Sequence, residues 1–361
     1  MVENQKSKEK SFNAETNIRK KIDYFNARYI GKTVNDCPIM QKSLYLEDNV
    51  YNFCCIGSKS IPCIGLIDEF MDKFTKEFFV NRYIDCFDEL QSKTCRICEN
   101  CAFLKKQKFI PLKYDDLYLK TIGFGTFHRC NVGCVYCGDI TRNIPDVINI
   151  SEVFDRLISE CLVNSETQII LANGEPTIHK QFEEILSKAF NFDTKIQVRT
   201  NGLLFSDALY KGLHSGKASV NISVDSGKKE TYAKIKRVDC FDIVWKNIKK
   251  YRETGGEVQI KYIIFSYNSS KEEIEAFVNK CLEANINYVV ISAELYSLRH
   301  RIECDWEFGE KEFEAIFYLN ELCRKHNIYV HTELYFTLEE QVKRFQILRN
   351  KIKKRKIESN L

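Results

Sequence analysis

The sequence predicts an α/β fold in which parallel strands alternate with helices, preceded by a small cysteine-rich region. From about residue 112 onward, β-rich runs alternate with helical stretches that carry apolar residues at three- and four-residue spacing. Polar motifs follow several of the strands, where the carboxyl ends of parallel strands meet at one edge. Eight of the sixteen cysteines lie between Cys37 and Cys101, a clustering typical of metal ligation.

Six candidate strands and five intervening helices define the α/β part. The strands are Leu117–Phe124, Gln168–Ala172, Lys195–Arg199, Ala218–Val224, Val258–Phe265 and Tyr288–Ile291. The helical stretches lie near Ser151–Val163, Gln181–Phe190, Ser206–Leu213, Phe241–Arg252 and Lys271–Ala284. Parallel strands with right-handed crossovers give a partial barrel or a wound sheet.

Composition limits the class of protein. A chain of 361 residues with 44% hydrophobic content can form one large core and a smaller module. A net charge of +4 gives no global field that favours nucleic acid, although residues 349–356 are basic and are either a solvated helix end or a contact for RNA or an acidic partner. We find no signal peptide and no run of about 18 apolar residues, so we expect a cytoplasmic protein without a membrane span. Clustered thiols in a reducing compartment favour metal over disulfides.

Cys130, Cys134 and Cys137 stand at C-x3-C-x2-C spacing. Three thiolates can ligate three irons of a [4Fe–4S] cluster, which leaves the fourth iron without a protein ligand. An iron with open positions can chelate a small molecule, and this suits catalysis better than a closed structural site. Asn131 and Gly133 suit a wrapped loop whose backbone N–H groups point toward cluster sulfides.

This cysteine pattern, with Tyr136 directly before the third cysteine, resembles the radical S-adenosylmethionine (SAM) superfamily. The resemblance implies a partial, TIM-like (β/α)6 barrel. It also implies reductive cleavage of SAM to a 5′-deoxyadenosyl radical, which removes a hydrogen atom from a substrate carbon. A one-electron reductant such as flavodoxin or ferredoxin is then a partner. The expected substrate is a peptide or protein, or else a small molecule such as a sugar.

Further motifs extend the resemblance along the strand ends. Asn173-Gly174-Glu175-Pro176 is similar to the family's G-G-E-P motif, which holds the amino group of SAM, with Asn173 where glycine is usual. Thr200 and Asn201 in a T-N-G motif, and Ser223 and Asp225 in an S-V-D motif, resemble positions near the ribose and the methionine carboxylate. Without the family resemblance, the T-N-G motif is a turn and the S-V-D motif is a strand end followed by a helix cap.

Three other residues complete the cofactor site that the resemblance implies. Arg237 is the candidate partner of the SAM carboxylate, since a guanidinium matches a carboxylate, and its alternative is a solvated helix end. Ile291, or its neighbour Val290, would form an apolar wall for adenine. Tyr136 packs over the cluster or the adenine, or is part of the core.

A second set of cysteines precedes the barrel. Cys37, Cys54, Cys95 and Cys98 form a four-ligand set around a predicted hairpin, with Cys101 as an alternative to Cys98 and with Cys54 preferred to Cys55 on spacing. The set resembles the auxiliary-cluster module of the SPASM and twitch type, although that module normally follows the radical SAM domain. We expect a second [4Fe–4S] cluster, with structural zinc as the alternative.

These patterns predict four segments: a polar lead-in (1–30), the auxiliary module (31–110), the partial barrel (111–335) and a basic helix (336–361). Two other classes of protein compete with an enzyme. They are a non-catalytic iron–sulfur electron carrier and a zinc protein that binds RNA. A carrier would have no need of the Glu175, T-N-G and S-V-D motifs at one rim.

Overall fold

The computed structural model describes residues 2–47, 50–53, 65–66, 71, 74–92, 103–137, 149–292, 310–333 and 350. The chain divides into two compact units. The first comprises residues 1–126, 147–169 and 192–194, and the second comprises residues 127–146, 170–191 and 195–361.

The helices of the described residues are α1 (Val2–Tyr29), α2 (Pro38–Lys42), α3 (Lys76–Ser92), α4 (Ile150–Ser159), α5 (Phe182–Asn191), α6 (Asp207–His214), α7 (Lys229–Lys236), α8 (Phe241–Arg252), α9 (Lys271–Glu283) and α10 (Glu310–Lys325). The strands are β1 (Thr33–Asp36), β2 (Ser43–Glu47), β3 (Val50–Asn52), β4 (Gly65–Leu66), β5 (Lys105–Lys108), β6 (Thr121–Gly125), β7 (Gln168–Leu171), β8 (Lys195–Thr200), β9 (Ala218–Ser223), β10 (Glu257–Ile263), β11 (Tyr288–Ser292) and β12 (Tyr329–Glu333). None of these helices is both long and apolar enough to cross a membrane.

In the first unit, β2 and β3 form the antiparallel hairpin that the sequence predicts. β2 also pairs in parallel with β6, with Leu44 opposite Ile122, so the hairpin extends the sheet of this unit. The ring of Tyr45 lies against Gly123 on the neighbouring strand, where an added Cβ would come within 2.4 Å of a ring carbon. Glycine at this position therefore lets the aromatic ring cross the strand.

Helix α1 extends over nearly all of the segment predicted as a polar lead-in. Its Ile18, Ile22 and Phe25 are buried at the three- and four-residue spacing of one helix face. Phe25 makes an edge-on contact with Phe87 of α3 at a centroid distance of 5.2 Å. The polar sequence before Ala14 continues the helix because Glu, Lys and Gln have high helix propensity.

The second unit contains a parallel sheet in the order β8-β9-β10-β11-β12. All six strands predicted from the sequence are present in the chain, and the predicted α/β class with a parallel sheet is confirmed. Strand β12 was not predicted, because Tyr-Val-His-Thr-Glu lacks the apolar run that marks a buried parallel strand.

The sheet of the second unit is strongly curved. Arg199 of β8 and Glu333 of β12 approach within 3.9 Å, although three strands lie between them in the sheet. Four interstrand steps of about 4.8 Å would separate these strands by roughly 19 Å if the sheet were flat. Their side chains therefore meet across a concave face.

Candidate functional site

The loop that contains the three cysteines is held against the end of α7. Gly133 N donates to the carbonyl oxygen of Lys236 and Val135 N to that of Ile235, each at 2.9 Å. The Gly133 N–H therefore does not point toward cluster sulfides, and this part of the sequence prediction is wrong. The last carbonyls of a helix lack partners within the helix, so they accept from the loop instead.

The three thiols of the loop differ in exposure. Cys130 and Cys134 are half-buried and Cys137 is exposed. The Asn201 side-chain amide donates to Asn131 Oδ1 at 2.7 Å and lies 3.8 Å from Cys130 Sγ. Burial raises the pKa of the Cys130 thiol, while hydrogen bonds from Val132 and Asn201 oppose that shift. An amide N–H directed at this sulfur suits a ligating thiolate, which is an acceptor.

Glu175 is fully buried, and its carboxylate joins the G-E-P turn to the T-N-G turn. Oε1 accepts from Thr200 Oγ1 and Thr177 Oγ1, each at 2.6 Å, and Oε2 accepts from Asn201 N at 2.7 Å. Burial raises the pKa of the Glu175 carboxyl above its usual value, although these hydrogen bonds oppose the shift. Because three residues donate to it, this carboxylate fixes the position of Asn201 beside Cys130.

Asn173 and Gly174 both adopt positive φ, at 66° and 48°. A Cβ on Gly174 would lie 1.7 Å from the carbonyl oxygen of Phe127 and 2.7 Å from that of Arg129. The backbone of the G-E-P turn is thus packed directly against the entrance to the cysteine loop. Asn173 tolerates the left-handed conformation that the family's usual glycine would adopt.

Asp225 lies in a buried ion pair with Lys236. Lys236 Nζ donates to Asp225 Oδ2 at 2.5 Å, and both side chains are almost fully buried. The Tyr136 hydroxyl donates to the same oxygen at 2.6 Å and accepts from Lys236 Nζ at 2.7 Å. Burial lowers the pKa of Lys236, but Asp225 and Cys134 together with Tyr232 raise it by more, so the net pKa is raised. The S-V-D motif is thereby connected to the cysteine loop.

The other predicted cofactor residues lie at the ends of strands and helices. Ser223 is half-buried at the end of β9, and Val290 and Ile291 are buried in β11. Arg237 is exposed and ends α7 in the left-handed conformation. Their roles toward SAM stay predictions.

A small cavity of about 140 Å³ lies beside the G-E-P turn. It is lined by Phe127, Arg129, Glu175, Ile178, His179 and Lys180. Arg129 and Lys180 are exposed to solvent, and they bring positive charge to this cavity. Such side chains suit a carboxylate or phosphate group.

Of the predicted auxiliary ligands, Cys37 is half-buried directly before α2. Cys54, Cys95 and Cys98 lie outside the described residues, as do their alternatives Cys55 and Cys101. Within the described part of the chain, no three His, Cys, Asp or Glu side chains converge on one metal ion. The basic residues 349–356 are likewise outside the described residues, apart from Asn350.

Sequence reasoning missed the partners that fix these motifs. Thr177 donates twice to Glu175, and Asn268 donates its amide to the carbonyl oxygens of Asp225 and Ile263. Lys236 ends an amphipathic helix, a position at which lysine is usually solvated. Lys236 and Arg237 lie in a segment that resembles the family's, but the resemblance gives the carboxylate role to the arginine and predicts no ion pair for Lys236.

Part of the chain is similar to known proteins. Residues 125–281 match the sequence model of the radical SAM superfamily. The chain is 29% identical over 165 residues to the molybdenum cofactor biosynthesis protein moc-5 of Caenorhabditis elegans, covering 44% of this chain and 27% of the relative. It is 28% identical over 167 residues to GTP 3′,8-cyclase of Clostridium perfringens (strain 13 / Type A), covering 44% and 50%. The chain thus spans half or less of these relatives.

A solved structure supports the fold. The crystal structure of Streptococcus suis SuiB bound to precursor peptide SuiA matches with a TM-score of 0.50 and 14% identity, covering 60% of this chain and 49% of that one. The match over residues 125–281 agrees with the predicted radical SAM domain, and the solved structure supports its fold. The family implies a [4Fe–4S] cluster and SAM as cofactors. The Asn201 amide directed at Cys130 Sγ fits a thiolate that ligates such a cluster.

Proposed function

We propose that the radical SAM domain of this chain binds a [4Fe–4S] cluster through Cys130, Cys134 and Cys137 and reductively cleaves SAM to abstract a hydrogen atom from a polar substrate. The observation that carries the proposal is the convergence of the cysteine loop, the G-E-P turn and the T-N-G turn through Glu175 and Asn201. When bound, the cluster and SAM supply one-electron cleavage of the carbon–sulfur bond. Flavodoxin or ferredoxin is the proposed reductant.

The protein's own residues position the cofactors and exclude water. Glu175 holds the two turns together, so its carboxylate has few lone pairs left for the SAM ammonium. We therefore assign the ammonium chiefly to backbone oxygens near Asn173 and Gly174, with Glu175 as the residue that orders them. Arg237, or the basic residues Arg129 and Lys180 beside the turn, are the candidate partners of the carboxylate.

The concave face of the sheet supports a polar substrate. Asn221 Nδ2 donates to Gln259 Oε1 at 3.0 Å, and Lys261 Nζ donates to Glu333 Oε2 at 2.8 Å. Barrel interiors that are only structural are filled mainly by branched apolar side chains. This face instead carries two amides and the charged groups of Arg199, Lys261 and Glu333. It therefore suits a substrate with hydrogen-bonding groups, either a peptide or a small molecule. The names of the relatives make GTP the first small molecule to test.

The proposal predicts that SAM binds directly to the reduced cluster. We expect the electron paramagnetic resonance (EPR) spectrum of the anaerobically reconstituted, dithionite-reduced chain to change when SAM is added, because SAM would ligate the open iron. S-adenosylhomocysteine, which lacks the sulfonium methyl group, can ligate through the same amine and carboxylate, and so it serves as the binding control without cleavage. A cluster whose spectrum is unaffected by excess SAM would contradict the proposal.

The auxiliary site is a separate part of the proposal. We propose that Cys37, Cys54, Cys95 and Cys98 hold a second [4Fe–4S] cluster, which could accept an electron from a substrate radical and so favour an oxidative outcome. Iron analysis of the reconstituted chain should then give about eight irons per chain. About four irons, particularly with one bound zinc, would assign a structural zinc site to these cysteines instead.

A further inference from the structure

The end of α7 holds the cysteine loop by more than backbone contacts. Gly133 and Val135, which flank Cys134, donate their N–H groups to the last two residues of the helix, Lys236 and Ile235. Tyr136, the residue between Val135 and Cys137, is held through its hydroxyl by the side chain of Lys236. The half of the loop that carries Cys134 and Cys137 is therefore attached to one helix end through three residues: Gly133, Val135 and Tyr136.

The charged part of this attachment is removed from solvent. The side chains of Lys236 and Asp225 are 1% and 0% exposed. Lys236 Nζ, Asp225 Oδ2 and the Tyr136 hydroxyl are mutually within 2.5–2.7 Å. A buried lysine is costly unless it is paired, and a hydrophobic side chain would pack in its place without that cost. The pairing of Lys236 with Asp225 and Tyr136 offsets that cost and fixes the three side chains relative to one another.

Asp225 is in turn fixed from the next strand. Its Oδ1 accepts from Ile263 N at 2.7 Å, and its carbonyl oxygen accepts from the Asn268 amide at 2.9 Å. It adopts a left-handed conformation with a φ of 63°, which a side chain tolerates when the surroundings determine it. The ion pair therefore links the sheet, through β10 and the residues after it, to the loop. Exposed Lys234, two residues before Lys236, has no such role.

We propose that Lys236 is a positioning residue for the iron–sulfur cluster, acting through Asp225 and Tyr136 to hold Cys134 and Cys137 in the ligating geometry. This inference rests on the proposed function, because it needs a cluster on the cysteine loop. It differs from a role in SAM binding, since none of the three side chains has to touch SAM. Residues that orient metal ligands typically change metal affinity when they are removed.

The test measures iron release from the reconstituted full chain to a ferrous chelator under anaerobic conditions. The principal variant is Lys236→Met combined with Asp225→Asn, which removes both charges and leaves no unpaired one. Tyr136→Phe removes only the hydroxyl. We expect iron release to be at least about tenfold faster in the double variant and several-fold faster in Tyr136→Phe. The EPR signal of the reduced cluster should broaden in both, because the loop would hold the cluster in more than one geometry.

Lys234→Met is the matched control, since it removes a lysine from the same helix and should leave release and the EPR signal unchanged. Circular dichroism at the assay temperature establishes whether each variant remains folded. If the double variant is unfolded, the iron release and EPR signal of Tyr136→Phe alone test the inference. Release within twofold of wild type, with an unaltered EPR signal, would overturn the inference. A wild-type chain that assembles no cluster would instead contradict the proposed function.

Discussion

Replacing Cys134 with alanine should lower the release of 5′-deoxyadenosine from SAM by more than about 100-fold in the presence of dithionite. A [4Fe–4S] cluster held by three thiolates has no spare protein ligand, so the loss of one leaves it with two. Chromatography of the quenched reaction gives the rate. Iron content should fall by about four per chain, and any iron that remains would belong to the auxiliary site.

The control for this variant is Cys240→Ala. Cys240 is half-buried, lies in the same unit as Cys134 and precedes α8 without forming a side-chain cap. Its removal tests the effect of losing a thiol outside the loop, and we expect iron content and product release close to those of wild type. Undiminished product release from Cys134→Ala would show that the cysteine loop is not the reaction centre.

Gly174→Ala should destabilise the second unit by about 3 kcal/mol or more. The added methyl group would overlap the carbonyl oxygen of Phe127, at 1.7 Å, and that atom belongs to backbone and not to a flexible side chain. The positive φ of 48° adds conformational strain. Urea unfolding followed by circular dichroism measures the change in the free energy of unfolding.

Gly216→Ala separates the cost of the steric overlap from the cost of the positive φ. Gly216 also has a positive φ, at 71°, but an added Cβ there would meet no atom within 4 Å. We expect this variant to lose about 1–2 kcal/mol, the cost of placing alanine in the left-handed region. If Gly174→Ala loses no more than Gly216→Ala, the close packing of the G-E-P turn on the cysteine loop is not a feature of the protein in solution.

Elements with strong periodicity could be predicted from the sequence, and weakly patterned ones could not. Each of the six strands of the α/β part contains at least two β-branched residues and lies close to its predicted position. Strand β12 and the polar beginning of α1 were missed, because a strand that carries His331 and Glu333 and a helix start rich in lysine give no apolar period. Strand β12 forms because it pairs with β11 in the folded sheet.

The motifs of the site could be located in sequence, but their partners could not. Glu175 and Asp225 were predicted as ligands of SAM, and their carboxylates accept hydrogen bonds from protein groups. Sequence separation explains the difference, since the contact between Tyr136 and Lys236 spans 100 residues. Only the fold brings such groups together. A resemblance to a family can suggest the role of a residue, but it does not predict the hydrogen bonds that the residue makes.

The measurement that bears most directly on the central claim is product analysis of the wild-type chain after anaerobic reconstitution, with SAM and dithionite. The account predicts 5′-deoxyadenosine and methionine in equal amounts, with release that depends on both the reductant and Cys134. A reconstituted chain that holds its [4Fe–4S] cluster but forms no 5′-deoxyadenosine under these conditions would contradict it, and an iron–sulfur electron carrier would then be the better description.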